Sequence, residues 1–323
     1  MLVKKKSSDM LNGSLWDKIL LFALPIALTA ILEQLFNASD IAIVGNFTGD
    51  LKNIAMAAVG ANSPIISLIV NFFIGFSLGA NVVIAKAFGE KKQESITKAV
   101  HTSIILSLLC GIIIAIIGEI FASDILKVLK VPNDVLPYAL SYLKIYFIGL
   151  PVILLYNFEA AIFRSIGRTR VPLVVLAISG VINIILNLIF VIFFKMNVNG
   201  VALATIISNA ISAIILFILL LKTDDCIKVE WKKLRIYSNS LADIFKIGFP
   251  SGMQGALFAI SNIVIQTAIN LLMSWRDQVL LITLKYLLII FSILLAKLVR
   301  LLPVKIMELR IIRDAKKYIS YVY

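Results

Sequence analysis

Charge is scarce in this sequence. Only 15% of its 323 residues are Asp, Glu, Lys or Arg, against about 25% in a soluble domain. Histidine occurs once, at His101, and cysteine twice, at Cys110 and Cys226. With His101 alone at the start of an apolar run, neither a Ser/His/Asp set nor a metal-ligand cluster is apparent. Cys110 falls inside an apolar run and Cys226 in a charged loop, so they stand at different depths and are not expected to pair. The phosphate-cradling pattern GxxxxGK followed by Ser or Thr is missing, so ATP-driven transport would need a separate partner. Enzyme chemistry is therefore not expected, and no cofactor is implied.

What is present is apolar surface. Hydrophobic residues make up 60% of the chain and the mean hydropathy is +1.00. Crossing a hydrocarbon core of about 30 Å takes about 20 apolar residues in a helix. Runs of that kind lie at roughly 17–44, 54–80, 99–121, 138–159, 172–194, 200–221, 244–272 and 280–302. The pattern predicts an all-α, polytopic helical membrane protein. The first run is too long for a cleaved secretory signal and more spans follow it, so the first helix is expected to remain.

A net charge of +13 raises nucleic acid as a partner, but its placement argues for topology instead. Basic residues gather before the first span (Lys4, Lys5, Lys6, Lys18) and between the second and third (Lys86, Lys91, Lys92, Lys98). They recur between the fourth and fifth (Arg164, Arg168, Arg170) and between the sixth and seventh (Lys222, Lys228, Lys232, Lys233, Arg235, Lys246). The intervening loops hold few. Under the positive-inside rule this alternation predicts a multi-pass protein of the cytoplasmic (inner) membrane with a cytoplasmic N-terminus. Membrane lipid is then a partner and nucleic acid is not.

Shifted by 225 positions, ILLFALPIALTAILEQLFN (19–37) superposes on IFKIGFPSGMQGALFAISN (244–262), matching Ile19, Pro25, Leu32 and Asn37 with Ile244, Pro250, Leu257 and Asn262. Each copy follows a basic amphipathic segment and carries a proline about six residues in. Repeated six-helix halves are a standard transporter design. The organisation expected is a first six-helix lobe at 1–221, a cytoplasmic amphipathic linker at 222–243, the first helix of a partial second lobe at 244–272, and an atypical eighth span with a basic tail at 273–323. All sixteen glycines lie at or before Gly255, whereas polytopic transporters use glycine freely. We read the repeat as failing after about Leu272, through a shifted reading frame or a degraded gene.

Polar residues inside the spans are the functional signal, because a charge at mid-membrane costs about 2.5–3.5 kcal/mol and usually faces a bundle interior. Thr29, Glu33, Asn37 and Asp40 follow helical spacing along one face of the first span. Ser179, Asn183 and Asn187 do so in the fifth, and Thr205, Ser208, Asn209 and Ser212 in the sixth. Three stripes are expected to converge on one cavity in the outer half. Ser179, Ser208 and Ser212 read as interhelical hydrogen-bonding groups. Asp40 reads as functional, since an Asn would serve as glue at lower cost. A carboxylate with amide and hydroxyl oxygens suits a hard cation such as Na⁺, and the same carboxylate suits a proton; sequence does not separate them. Glu33 reads as a second proton carrier or a substrate contact. Glu119 and Glu159 are read as structural groups near span ends, within reach of water or a lysine, and His101 as interfacial packing. Gly75 and Gly79 form a small-xxx-small pattern that allows close helix approach.

LPIALTAILEQLFNASDIAIVGNF, AAVGANSP, FFIGFSLGANVVIAKAFGEKK, YNFEAAIFRSIGRTRVPLVVLAISGVINIILNLIF, NGVALATIIS and GFPSGMQGALFAISN together resemble the multidrug and toxic compound extrusion (MATE) family over roughly residues 15–272. The resemblance implies two six-helix lobes that alternate access, and export of cationic or amphipathic small molecules in exchange for Na⁺ or H⁺ by a monomer. It assigns the coupling site to Asp40, Asn183, Asn187 and Thr205; Glu33 and Asn37, from the stripe of the first span, are read as lining the substrate cavity. Position 187 departs from the family pattern in carrying Asn where an Asp is usual. Two other readings stand beside it. A flippase for lipid-linked sugars of the same superfamily would favour a strongly cationic cavity, whereas the interior expected here is acidic and amide-rich. A non-transporting truncated membrane protein fits the glycine-free tail.

Overall fold

The computed structural model describes residues 15–272, with side-chain surroundings for 22–263. The expected eighth span and basic tail lie outside the described residues. Seven helices follow in chain order: α1 Leu15–Phe47, α2 Lys52–Gly89, α3 Gln93–Val128, α4 Leu136–Ser165, α5 Arg170–Leu188, α6 Asn197–Lys222 and α7 Ser238–Leu272. No strand occurs among the described residues. Six of the helices, α1 through α6, are long and apolar enough to cross a membrane. Several outrun the apolar runs that mark them. α2 continues to Gly89 and α3 begins at Gln93, because hydropathy registers only the part in hydrocarbon while the helix persists into water.

Prolines occur inside α1 (Pro25), α2 (Pro64), α4 (Pro151) and α7 (Pro250). Each removes one intrahelical bond, which membrane helices tolerate where neighbours and hydroxyls fill in. Gly111 of α3 lies so close to the backbone of Pro151 that an added methyl would collide with it. Thr29 donates to the Pro25 carbonyl at 2.8 Å.

α4 is the most enclosed span, packed between α2, α3 and α6. Its largest fully buried side chains, among them Phe147, Leu150, Leu154 and Phe158, fill the bundle. Two α2 amides reach across to α4 backbone: Asn62 donates to the Ala139 carbonyl and Asn81 to that of Ala161, each at 2.9 Å. Such bonds hold the helices in register where no water competes. The most extensive pairing joins α2 and α7, through the small residues the sequence marks. A methyl on Gly75 would enter the Ser251–Gly252 backbone, and one on Gly79 would lie 2.7 Å from the Cα of Gly248.

The basic loops meet at one end. Arg168, in the α4–α5 turn, pairs with Asp225 at 2.6 Å. Gln93, at the start of α3, donates to the Cys226 carbonyl at 2.9 Å. His101 is fully buried there. Its Nδ1 lies 2.7 Å from the Thr97 carbonyl, which only accepts, so that nitrogen carries the proton and Nε2 accepts the Glu230 N–H at 2.9 Å. Thr102 accepts the Tyr237 N–H. The histidine is thus a latch for the segment that joins α6 to α7, a more specific role than interfacial packing. Both cysteines are free.

Candidate functional site

Asp40 lies toward the C-terminal end of α1 and is buried. The α1–α5 contact that brings it inward depends on Gly180, where any side chain would run into the Phe36 ring. One turn past Phe36, the Asp40 carboxylate faces the amide row of α5. Asn187 donates to Asp40 Oδ1 at 2.6 Å and to Asn183 Oδ1 at 3.1 Å. Asn183 donates to Thr205 Oγ1 at 3.4 Å, and Thr205 donates to Asp40 Oδ2 at 3.3 Å. These four bonds close a ring over three helices, joining the four residues assigned to the coupling site.

The ring leaves one group over. Asn187 Oδ1 is buried and has no hydrogen-bond partner, although a buried acceptor ordinarily finds one. It stands beside two carboxylate oxygens, a hydroxyl and a second amide oxygen, a donor set of hard oxygens that suits Na⁺. Immediately beyond Asn187 the α5 helix widens into a π-helical turn over Ile189–Phe193, a local expansion common at functional sites.

The α1 stripe does not stay together. Thr29 is buried and occupied with Pro25, Glu33 is half-buried, and Asn37 is exposed. Helical spacing put all four residues on one face, but Asn37 is three residues from Asp40, about 60° round the helix, and falls outside the α5 contact. Neither Glu33 nor Asn37 joins the ring. Ser212 of α6 donates to the Ser179 hydroxyl of α5, an interhelical bond as expected. Ser208 and Asn209 instead turn back to the Thr205 carbonyl.

Two carboxylates read as structural differ sharply. Glu119 has Lys144 Nζ at 3.8 Å, which matches the expectation. Glu159 corrects it: the residue is fully buried and neither carboxyl oxygen has a partner. Nearness to a span end did not mean nearness to water, because the segment after α6 folds back over that end and buries Ile227 and Val229. Tyr142 and Tyr146 were not singled out. They are buried on α4, stacked with ring centroids 6.5 Å apart, and within electrostatic reach of Asp40. Their i, i+4 spacing in YALSYLKIYF was the signal available.

The MatE family model matches residues 25–189, just over half of the chain. The chain is 29% identical over 276 residues to a probable multidrug resistance protein, YoeA, of Bacillus subtilis (strain 168), covering 83% of this chain and 58% of the relative. It is 28% identical over 255 residues to the multidrug export protein MepA of Staphylococcus saprophyticus, covering 79% and 56%. It therefore spans less than three fifths of the length of these relatives. Among solved structures it resembles a MOP superfamily transporter from Pyrococcus furiosus, with TM-score 0.79, 20% identity, and 94% of this chain and 66% of that one covered. It also resembles a multidrug resistance MATE family transporter in an outward-facing conformation, with TM-score 0.72, 23% identity, and 82% and 57% covered.

Proposed function

Because this chain belongs to the MatE family, a family of multi-pass membrane transporters rather than enzymes, we propose that it exports cationic or amphipathic small molecules in exchange for Na⁺ or H⁺ bound at Asp40. The observation that carries the reading is the closed ring around that carboxylate, with the buried oxygen of Asn187 left open beside it. A cation entering there would gain the Asp40 charge and the Asn187 oxygen together. A proton on Asp40 would instead remove the charge to which Asn187 donates. Either event changes the bonds between α1, α5 and α6, which is how occupancy of the site would bias the packing of the lobe.

The proposed arrangement has the N-terminus in the cytoplasm of a cell with the protein in its inner membrane, working as a monomer. Residues 1–221 form the first lobe, 222–243 the linker and 244–272 the start of a second lobe. Contact among the three basic loops at one end supports this topology, since all three then face the same compartment. Glu33, half-buried on α1, is the proposed substrate-facing acid, with Asn37 exposed a turn further along.

The test is efflux of a fluorescent cationic dye from proteoliposomes under an imposed sodium or proton gradient. The full chain, its Asp40→Asn variant and empty vesicles are compared. Efflux that follows one gradient and is lost in the variant supports the proposal. Equal efflux by both chains removes Asp40 as the coupling residue. Efflux no greater than from empty vesicles favours the non-transporting reading.

A further inference from the structure

Glu159 is a buried titratable group that the coupling ring does not use. It has no exposed surface, and both carboxyl oxygens lack partners. Its place on α4 is two residues before Ala161, whose carbonyl takes the Asn81 bond from α2, so it lies about 200° round the helix from the α2 face. α3 and α6 flank α4 on its other sides.

The groups on these neighbours give it no counter-charge. On α3, His101 has both ring nitrogens engaged by backbone, and Ser103 and Ser107 donate to carbonyls of their own helix. α6 carries no ionisable side chain between Asn197 and Lys222, and on α2 the basic residues are Lys52 in the first turn and Lys86 in the last. On α4 itself, Arg164 lies in the last turn and is half-buried. One polar group nearby is also unsatisfied: the Tyr156 hydroxyl, buried and without a partner, within electrostatic reach of Glu159, Arg164 and, on α1, Glu33. A buried carboxylate with neither a cation nor a hydrogen-bond donor pays the full desolvation penalty, and such a group resolves this by holding a proton. A merely structural role would be served by Gln or Leu.

We propose that Glu159 is a proton-binding site separate from the Asp40 ring, loaded while α4 is packed against α3 and α6, and exchanging its proton past Tyr156 toward the side of the lobe that carries Glu33. Release breaks the carboxyl O–H bond and leaves a carboxylate, the proton passing to water on the Glu33 side.

The test is infrared difference spectroscopy of the full chain in lipid nanodiscs at neutral pH, which reads the C=O stretch of protonated carboxyls and needs no transport activity. The expected result is a band that moves with ¹³C-glutamate but not with ¹³C-aspartate, is lost in Glu159→Gln, and is retained in Asp40→Asn. The isotope arm uses the unmodified chain, so a folding defect in a variant does not blunt the test. No protonated glutamate band, or one unchanged in a folded Glu159→Gln, overturns the site. Tyr156→Phe is expected to keep the band and slow its deuterium exchange at least several-fold; an unchanged rate overturns the route. Retention of the band in Asp40→Asn separates this proposal from the coupling mechanism, either of which can fail alone.

Discussion

The amide of Asn187 lies 2.6 Å from Asp40 Oδ1, a bond between residues 147 positions apart in the chain. The contact ties α5 to the carboxylate of the ring. The same side chain donates to Asn183, which uses its second N–H and leaves its oxygen as the one unsatisfied acceptor in the ring. Asn187 thus holds the carboxylate in place and offers a further oxygen for whatever the carboxylate binds.

Sodium should therefore stabilise the folded chain. A ligand that binds only the native state adds about 2.7 kcal/mol at a hundred times its dissociation constant, so thermal unfolding in detergent should shift upward in sodium chloride relative to choline chloride. Asp40→Asn keeps the shape of the ring but removes its charge, and should abolish the shift. An equal shift in both chains would place the sodium site elsewhere. A parent chain indifferent to sodium, but whose efflux follows a proton gradient, would assign Asp40 to proton carriage.

Restoring an acid at position 187 should trade stability for affinity. In Asn187→Asp two carboxylates face one another where an amide now donates, and an uncompensated buried charge costs about 3–5 kcal/mol. Unfolding should occur at lower temperature in choline chloride. Sodium should recover most of the loss, with affinity higher on the order of tenfold, about 1.4 kcal/mol. A variant as stable as the parent without sodium would mean that the second acid is neutral or turned out of the ring.

The polar stripes of α1, α5 and α6 were legible in the sequence because polar side chains stand out against apolar helices, while the choice of four residues among them came from the family resemblance. Asp40, Asn183, Asn187 and Thr205 are each costly where they lie, and helical spacing aligns them. Spacing alone did not show which members of the stripe the neighbouring helices cover: Asn37 is exposed where Asp40 is buried. Its angle differs from that of Asp40 by about one sixth of a turn, and burial there depends on where α5 packs, which no single helix encodes. Glu159 was misjudged for a different reason. Distance along a span estimates depth in the bilayer, but not the cover supplied by the segment of 223–237 that folds back across α3 and α6.

Two glycines on one helix should respond oppositely to the same substitution. On α2, an added methyl at Gly79 would lie 2.7 Å from the Gly248 backbone, whereas at Gly60 it would meet nothing within 4 Å. Gly79→Ala must separate α2 from α7, and overpacking of this kind costs about 1–3 kcal/mol. Gly60→Ala should be neutral or stabilising by up to about 1 kcal/mol, the difference in helix propensity. Thermal unfolding of the two variants side by side checks this. Equal loss in both would mean that helix propensity and lipid contact, not the α2–α7 approach, set the response.

Cys226 reports on both topology and packing. It lies in the segment between α6 and α7, half-buried, with its carbonyl held by Gln93. Burial, aided by the charge of Asp225, pushes its thiol up from the ordinary value. Thiolate is the reactive form, so a raised thiol reacts slowly at neutral pH and keeps gaining rate with pH after an ordinary cysteine, near 8.5, has levelled off. In a Cys110→Ala background, a membrane-impermeant maleimide should label Cys226 from the cytoplasmic face, more slowly at pH 7 than a cysteine placed at exposed Ser238. Asp225→Asn should speed the reaction, since it removes the neighbouring charge and loosens the Arg168 pair. Labelling only from the opposite face would reverse the orientation inferred from the basic loops. A rate that levels off near pH 8.5 would mean that the Cys226 thiol is freely solvated, and that the segment does not dock on α3 as Gln93, His101 and Thr102 hold it here.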